Sequence, residues 1–268
     1  MDAVGRVALV TGSSRGIGKA INERFAKQGY RCVVHYRRDE DSARTALDEL
    51  RAVGAEPMLV RADLGSEDDV RGMFGQIGDE FGRLDVFVAS AASTVLRPLL
   101  DVEPRHTRRV FDQAVVDFVL SVQLSAAMMA DGGRIVAMSG LQSRSVIDGY
   151  GLLGPAKAAM EEMVKHLAVE LGPRRITVNA VIPGFIETDS ARLSLGAYYD
   201  AMAQQLVSCI PAGRAGQPDD VADLVAFLAS PAAGYITGTS IVIDGGMSAL
   251  GLPSVISRLA QQEEPHAD

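Results

Sequence analysis

The run Arg6-Val-Ala-Leu-Val-Thr-Gly-Ser-Ser-Arg-Gly-Ile-Gly18 decides the fold. Arg6 to Thr11 is a short apolar segment of the kind buried as a strand. Ile17, Ile21 and Phe25 recur at helical spacing, so Lys19 to Gln28 reads as a helix. Between the two the backbone turns sharply at Gly12, and Gly16 and Gly18 let it approach a ligand at the positive helix end. Strand, glycine turn and helix in that order form a pyrophosphate site. The spacing Gly-x3-Gly-x-Gly differs from the common Gly-x-Gly-x-x-Gly fingerprint, and glycines also serve plain strand-to-helix turns. The complete strand-helix-strand unit, with Thr11 at the strand end, is what points to a nucleotide.

The same alternation continues along the chain. Apolar runs at Arg31–Tyr36, Glu56–Arg61, Leu84–Ala89, Gly133–Met138, Arg175–Ile182 and Thr239–Asp244 read as strands. Helical patterns fill Asp41 to Val53, a stretch ending at Phe81, residues 106–129, and Ala156 to Leu171. Short strands alternating with helices imply a single-domain, Rossmann-type α/β fold. It is a doubly wound, seven-stranded parallel sheet flanked by helices. No linker or repeat interrupts it, so residues 1–252 are expected to form one domain and 253–268 a polar tail that frays or packs on a neighbouring subunit.

With 268 residues and 47% hydrophobic content, the chain can bury one large core. A net charge of −8 without a basic stripe argues against nucleic acid. Two isolated cysteines, Cys32 and Cys209, suggest thiols in a reducing cytoplasm. No signal peptide is recognisable, and no apolar run approaches the roughly eighteen residues that cross a bilayer, so a cytoplasmic protein without a membrane partner is expected. His35, His106, His166 and His266 are scattered, which gives no metal-ligand cluster.

The second strand ends in Tyr36-Arg37-Arg38, with no carboxylate until Asp39. Arginine forks there complement a ribose 2′-phosphate, whereas a carboxylate would bond a free 2′-hydroxyl, and Arg15 adds a further cation. The plain alternative is a pair of solvated arginines. Asp63, after the third strand, can accept from an adenine amino group or cap the next helix, where Ser66 and Asp69 already make a capping box. Ser139-Gly140 closes the fifth strand at the carboxyl edge, where ligands bind in such sheets. Tyr150 and Lys157 follow, seven residues apart. On one helix they would stand about 10 Å apart along the axis. Pro155 suits a first helical turn, so Tyr150 is placed on the loop entering the helix, from where its hydroxyl can fold back towards Lys157.

Taken together, Thr11-Gly-x3-Gly16-x-Gly18, Asp63, Tyr150 with Lys157, Pro183-Gly184 and Asp244-Gly-Gly resemble the short-chain dehydrogenase/reductase family over about residues 5 to 250. The resemblance implies NADP(H) held by Gly12, Ser14, Arg15, Gly16, Ile17 and Gly18 around the pyrophosphate. It places Tyr36, Arg37, Arg38, Asp63 and Leu64 at the adenosine, and adds Ser90 and Ala91 to the cofactor-binding residues. Lys157 would hold the nicotinamide ribose, and Pro183, Gly184, Ile186 and Thr188 the carboxamide side. It further implies a homodimer or homotetramer built through the long fourth and fifth helices.

The seven-residue spacing, Leu96-Arg97-Pro98 and Gly151-Leu-Leu-Gly154 resemble the NADPH-using enoyl-thioester reductase branch. Gly140 stands where ketone-reducing members usually carry serine, with Ser139 beside it. Ser90-Ala91-Ala92 replaces an Asn-Ala-Gly signature, and the usual asparagine of the fourth helix falls near Ala114. In the enoyl reading, Tyr150 stabilises the enolate oxygen while the charge of Lys157 lowers the tyrosine pKa. Ser139 is the remaining candidate catalytic group. The substrate would be an apolar acyl-carrier-protein or CoA thioester from fatty acid or secondary metabolism. Two alternatives stand beside it: reduction of a carrier-bound or polycyclic ketone, and a non-redox member that binds the cofactor only. Asp189 to Pro211 reads as a substrate lid, or as a surface helix with an apolar core face.

Overall fold

β1 (Val7–Val10) is buried along its length and pairs on one side with β2 (Arg31–Tyr36), on the other with β4 (Val86–Ala89). The computed structural model describes residues 4–92, 95–189, 192, 196, 199–251, 254, 255 and 258. β3 (Met58–Arg61) lies outside β2, while β5 (Arg134–Met138), β6 (Thr177–Pro183) and β7 (Ser240–Ile243) extend the other half. All pairings are parallel, in the order β3-β2-β1-β4-β5-β6-β7. The expected sheet is therefore present. Its order reverses between β1 and β4, and a crevice opens there at the carboxyl ends of the strands.

The two-residue period of each strand divides the core into two layers. Ala8 and Val10, with Val34 and Val88, face Ile21 and Phe25 of α1 (Gly16–Lys27) and Leu47 of α2 (Glu40–Ala52). Val7 and Leu9, with Phe87 and Ile135, face Met73 and Ile77 of α3 (Glu67–Phe81). Burying side chains such as Phe25 or Ile77 contributes about 1.5–3 kcal/mol each.

The long helical pattern of residues 106–129 is not one regular helix. α4 (Pro104–Phe111) passes through a π-helical turn, Asp112–Val116, into α5 (Asp117–Met128). Such a turn resets the phase of the faces on either side of it. Across Pro104–Met128 an 18-residue window reaches a mean hydropathy of 1.3. Contrary to expectation, then, one helical stretch is long and apolar enough to cross a bilayer; here 39% of that window is buried, with Phe118 and Val122 packed into the sheet's second layer.

α6 (Leu153–Leu171) contributes Met160 and Val164 to that same layer. It starts ahead of Pro155, so the proline sits in the first turn, where its missing N–H breaks no helical bond. α7 (Tyr199–Cys209) and α8 (Pro218–Ala229) complete the fold, and Val221 and Val225 of α8 join the α1 layer. Most of the expected tail lies outside the described residues, but Arg258 donates to Ser208 O at 3.4 Å.

Candidate active site

The glycine turn is shaped by contacts that admit no side chain. Gly12 has φ +67°, and a Cβ there would stand 2.9 Å from Ala91 Cα; one on Gly18 would stand 2.5 Å from Gly12 O. Thr11 Oγ1 accepts from the N–H groups of Ser90 and Ala91 at 3.0 and 3.1 Å, joining the ends of β1 and β4. His35 holds the turn from the other side. Its Nδ1 accepts from Gly12 N–H at 2.9 Å, so the proton sits on Nε2, which donates to Ala62 O at 3.1 Å. Burial lowers its pKa to about 4, against the Ala62 bond, which favours protonation. The sequence marked His35 as a polar residue inside a buried strand, but its role needed the neighbouring strands.

A cleft of about 550 Å³ runs along the carboxyl ends of the strands. Gly12, Ser14, Arg15, Gly16, Ile17 and Gly18 line one part, and Tyr36, Arg37, Arg38, Asp63 and Leu64 another. Ser90, Ala91, Ser139, Lys157, Pro183 and Thr188 also line it. Gly184 and Ile186 stand behind this lining. A Cβ on Gly184 would lie 2.5 Å from Asp244 Cβ, so the Pro-Gly and Asp-Gly-Gly motifs form one packed corner. Ile186 is buried and bridges to Gly216. Close backbone approach at Gly12 and Gly18, at the N-terminus of a helix, fits a dinucleotide pyrophosphate.

The cations at the β2 end of the cleft are not equivalent. Arg37 Nη1 lies 3.6 Å from Asp63 Oδ1, and Arg15 Nη1 lies 3.6 Å from Asp39 Oδ2. Arg38 has no ion-pair partner among the described residues. Asp39 caps α2 by accepting from Ser42 N–H, and Ser66 caps α3, which leaves Asp63 at the cleft.

At the other end Lys157 is buried, with Nζ donating to Met138 O at 2.5 Å. Burial lowers its pKa to about 8, opposed by the nearby charge of Glu161. Ser139 Oγ donates to Glu161 Oε1 at 2.5 Å, and Arg144 Nη2 donates to Glu161 Oε2 at 2.6 Å. Glu161 escaped the sequence reading. Its signal was a carboxylate one helical turn beyond Lys157, next to the apolar stripe of α6. Asp117 also escaped, although it is a lone carboxylate in the apolar run from Ala114 to Leu120. It is buried, its Oδ2 has no partner among the described residues, and burial raises its pKa to about 7, helped by Asp112, Asp63 and Glu67.

Tyr150 sits on the loop entering α6, as expected, and among the described residues its hydroxyl shares no hydrogen bond with Lys157. It packs against the cluster of Val110, Ala114, Leu152 and Leu153, while Lys157 is drawn to the end of β5. Tyr150 lines a neighbouring groove of about 420 Å³ with Leu99, Ile147 and Gln142, and Gln142 also lines the cleft. In the segment expected as a lid, Leu193, Leu195 and Tyr198 lie outside the described residues. α7 packs Tyr199 near Phe185, ring centroids 6.2 Å apart, and no described residue of 199–211 lines the cleft.

Residues 12–248 match a family model described as enoyl-(acyl carrier protein) reductase. The chain is 37% identical over 248 residues to a 1-cyclohexenylcarbonyl-CoA reductase of Streptomyces collinus, covering 92% of this chain and 89% of that one. It is 36% identical to the 3-oxoacyl-[acyl-carrier-protein] reductase FabG of Staphylococcus aureus, over 90% of this chain and 97% of that one. Among solved structures, the angucycline C-6 ketoreductase LanV with bound NADP superposes with a TM-score of 0.85 at 32% identity, covering 93% of this chain and 98% of that one.

Proposed function

The chain belongs to the short-chain dehydrogenase/reductase family, and on that premise we propose that it reduces the C=C bond of an enoyl thioester with NADPH. It is an NADP-dependent oxidoreductase; relatives crystallised with NADP or NADPH carry that statement. The observation carrying the finer reading lies at the end of β5. Ser139 has its only hydroxyl hydrogen directed at Glu161, and Gly140 beside it offers no side chain. Ala114 stands where an asparagine would otherwise serve. A ketone would find few side-chain donors here, whereas an enolate needs only one well-placed donor and a nearby cation.

NADPH supplies a hydride to the β-carbon when bound. The glycine turn would hold its pyrophosphate, Arg38 with Arg37 the 2′-phosphate, Lys157 the nicotinamide ribose, and Thr188 the carboxamide side. We assign proton donation to Tyr150. Its groove meets the cleft at Gln142, so a substrate with its acyl end in the groove would bring the hydroxyl to the thioester oxygen. Buried Lys157 supplies the positive charge behind the developing enolate, stronger there than in water. The two cysteines are unpaired, which supports a reducing cytoplasm, and a homodimer or homotetramer is part of the same proposal.

The second reading, ketone reduction, draws on the similarity to FabG and LanV. NADPH carrying deuterium at the transferred position separates the two. Label at the β-carbon of a saturated thioester supports the proposal; label on a carbinol carbon replaces it with ketone reduction.

A further inference from the structure

We propose that Glu161 sets the preference for C=C over C=O reduction by keeping the Ser139 hydroxyl away from the substrate. The inference rests on the enoyl-thioester reading. A serine hydroxyl has one hydrogen to donate. Here it points at Glu161 Oε1 from 2.5 Å, a charge-assisted bond stronger than one to a neutral ketone oxygen. Arg144 holds the second carboxylate oxygen at 2.6 Å, so Glu161 stays oriented. The carboxylate is buried, 5% exposed, and water competes poorly for that hydrogen.

The two reductions ask different things of this wall. A ketone gains a hydride at carbon and a proton at oxygen, giving an alcohol as NADPH becomes NADP+. An enoyl thioester gains the hydride at its β-carbon and the Tyr150 proton at its enolate oxygen. The enol then tautomerises, moving a proton from oxygen to the α-carbon through water, to give a saturated thioester. A hydroxyl donor at the end of β5 would polarise a ketone oxygen directly, and Glu161 withdraws the hydroxyl that Ser139 brings to the cleft there. Glu161 is thus a positioning residue: it acts through Ser139 and touches no reacting atom.

The test uses the full chain with crotonyl-CoA and acetoacetyl-CoA. Glu161→Leu frees Ser139, and the ratio of keto to enoyl kcat/KM should rise about tenfold or more, up to the roughly hundredfold worth of one fully formed oxyanion donor. Glu161→Gln keeps an acceptor oxygen for Ser139 and should move the ratio less, while adding Ser139→Ala to Glu161→Leu should remove the gain. A second readout needs no turnover: the Ser139 hydroxyl proton should resonate at unusually low field in the unaltered protein and vanish in Ser139→Ala. Should Glu161→Leu fail to fold, Glu161→Met takes its place. An unchanged ratio, a gain that survives loss of Ser139, or no low-field proton overturns the inference. If the unaltered protein itself prefers acetoacetyl-CoA, the enoyl reading fails first and this inference falls with it.

Discussion

Acid should loosen the glycine turn through His35. The folded protein holds its pKa near 4, against an ordinary 6.5, because the ring is buried and Nδ1 already accepts from Gly12 N–H. Protonation would set two N–H groups against each other. A folded pKa below the unfolded one means that the stabilisation is complete above pH 6.5 and is lost as the pH falls towards 4. At about 1.4 kcal/mol per pH unit the gap amounts to about 3 kcal/mol, or roughly 6–12 °C in Tm for a domain of this size. Asp117 acts the opposite way: its pKa is raised to about 7, so its ionisation destabilises the fold as the pH rises. The His35 contribution is therefore read as a difference, from thermal melts of the unaltered protein and His35→Asn between pH 4 and 7. The two Tm curves should converge as the pH falls. Parallel curves would refute the reasoning, and NADPH affinity measured over the same range should show the same acid loss.

Three further outcomes follow from the site. Gly18→Ala puts a Cβ 2.5 Å from Gly12 O and should lower stability by about 1–3 kcal/mol and abolish measurable NADPH binding by fluorescence titration. Gly16→Ala meets Thr188 only at 3.7 Å, but the φ of +58° strains any side chain there, so it should still cost about 1–2 kcal/mol. Arg38→Ala should weaken NADPH about ten- to hundredfold and leave NADH unchanged, and Arg37→Ala, already paired with Asp63, should do so less; equal losses for both cofactors would assign the pair to structure. Tyr150→Phe should lower turnover about a hundredfold with NADPH affinity intact, and near-normal turnover would remove Tyr150 as the proton donor.

The sheet was legible because its strands are buried on both faces and announce themselves as apolar runs, and because the glycine turn fixes where the ligand end lies. The break between α4 and α5 was not legible, since one inserted residue changes the phase of a helix without changing its composition. At the site, the glycines, Arg37, Arg38 and Asp63 reached the cleft as their places along the chain required. Tyr150 did not, because a loop's side-chain direction depends on packing with Val110 and Leu152, which sequence spacing does not encode. Glu161, Asp117 and His35 lay in plain view as polar residues in apolar runs. Their partners come from distant strands and helices, so only the fold gave them roles.

The central claim is tested most directly by comparing crotonyl-CoA with acetoacetyl-CoA as substrates of the unaltered enzyme, with kcat/KM followed by loss of NADPH absorbance. The account predicts faster reduction of crotonyl-CoA, with butyryl-CoA as product. Preferential reduction of acetoacetyl-CoA to the hydroxyacyl thioester, or no NADPH consumption with either although NADPH binds, would contradict it.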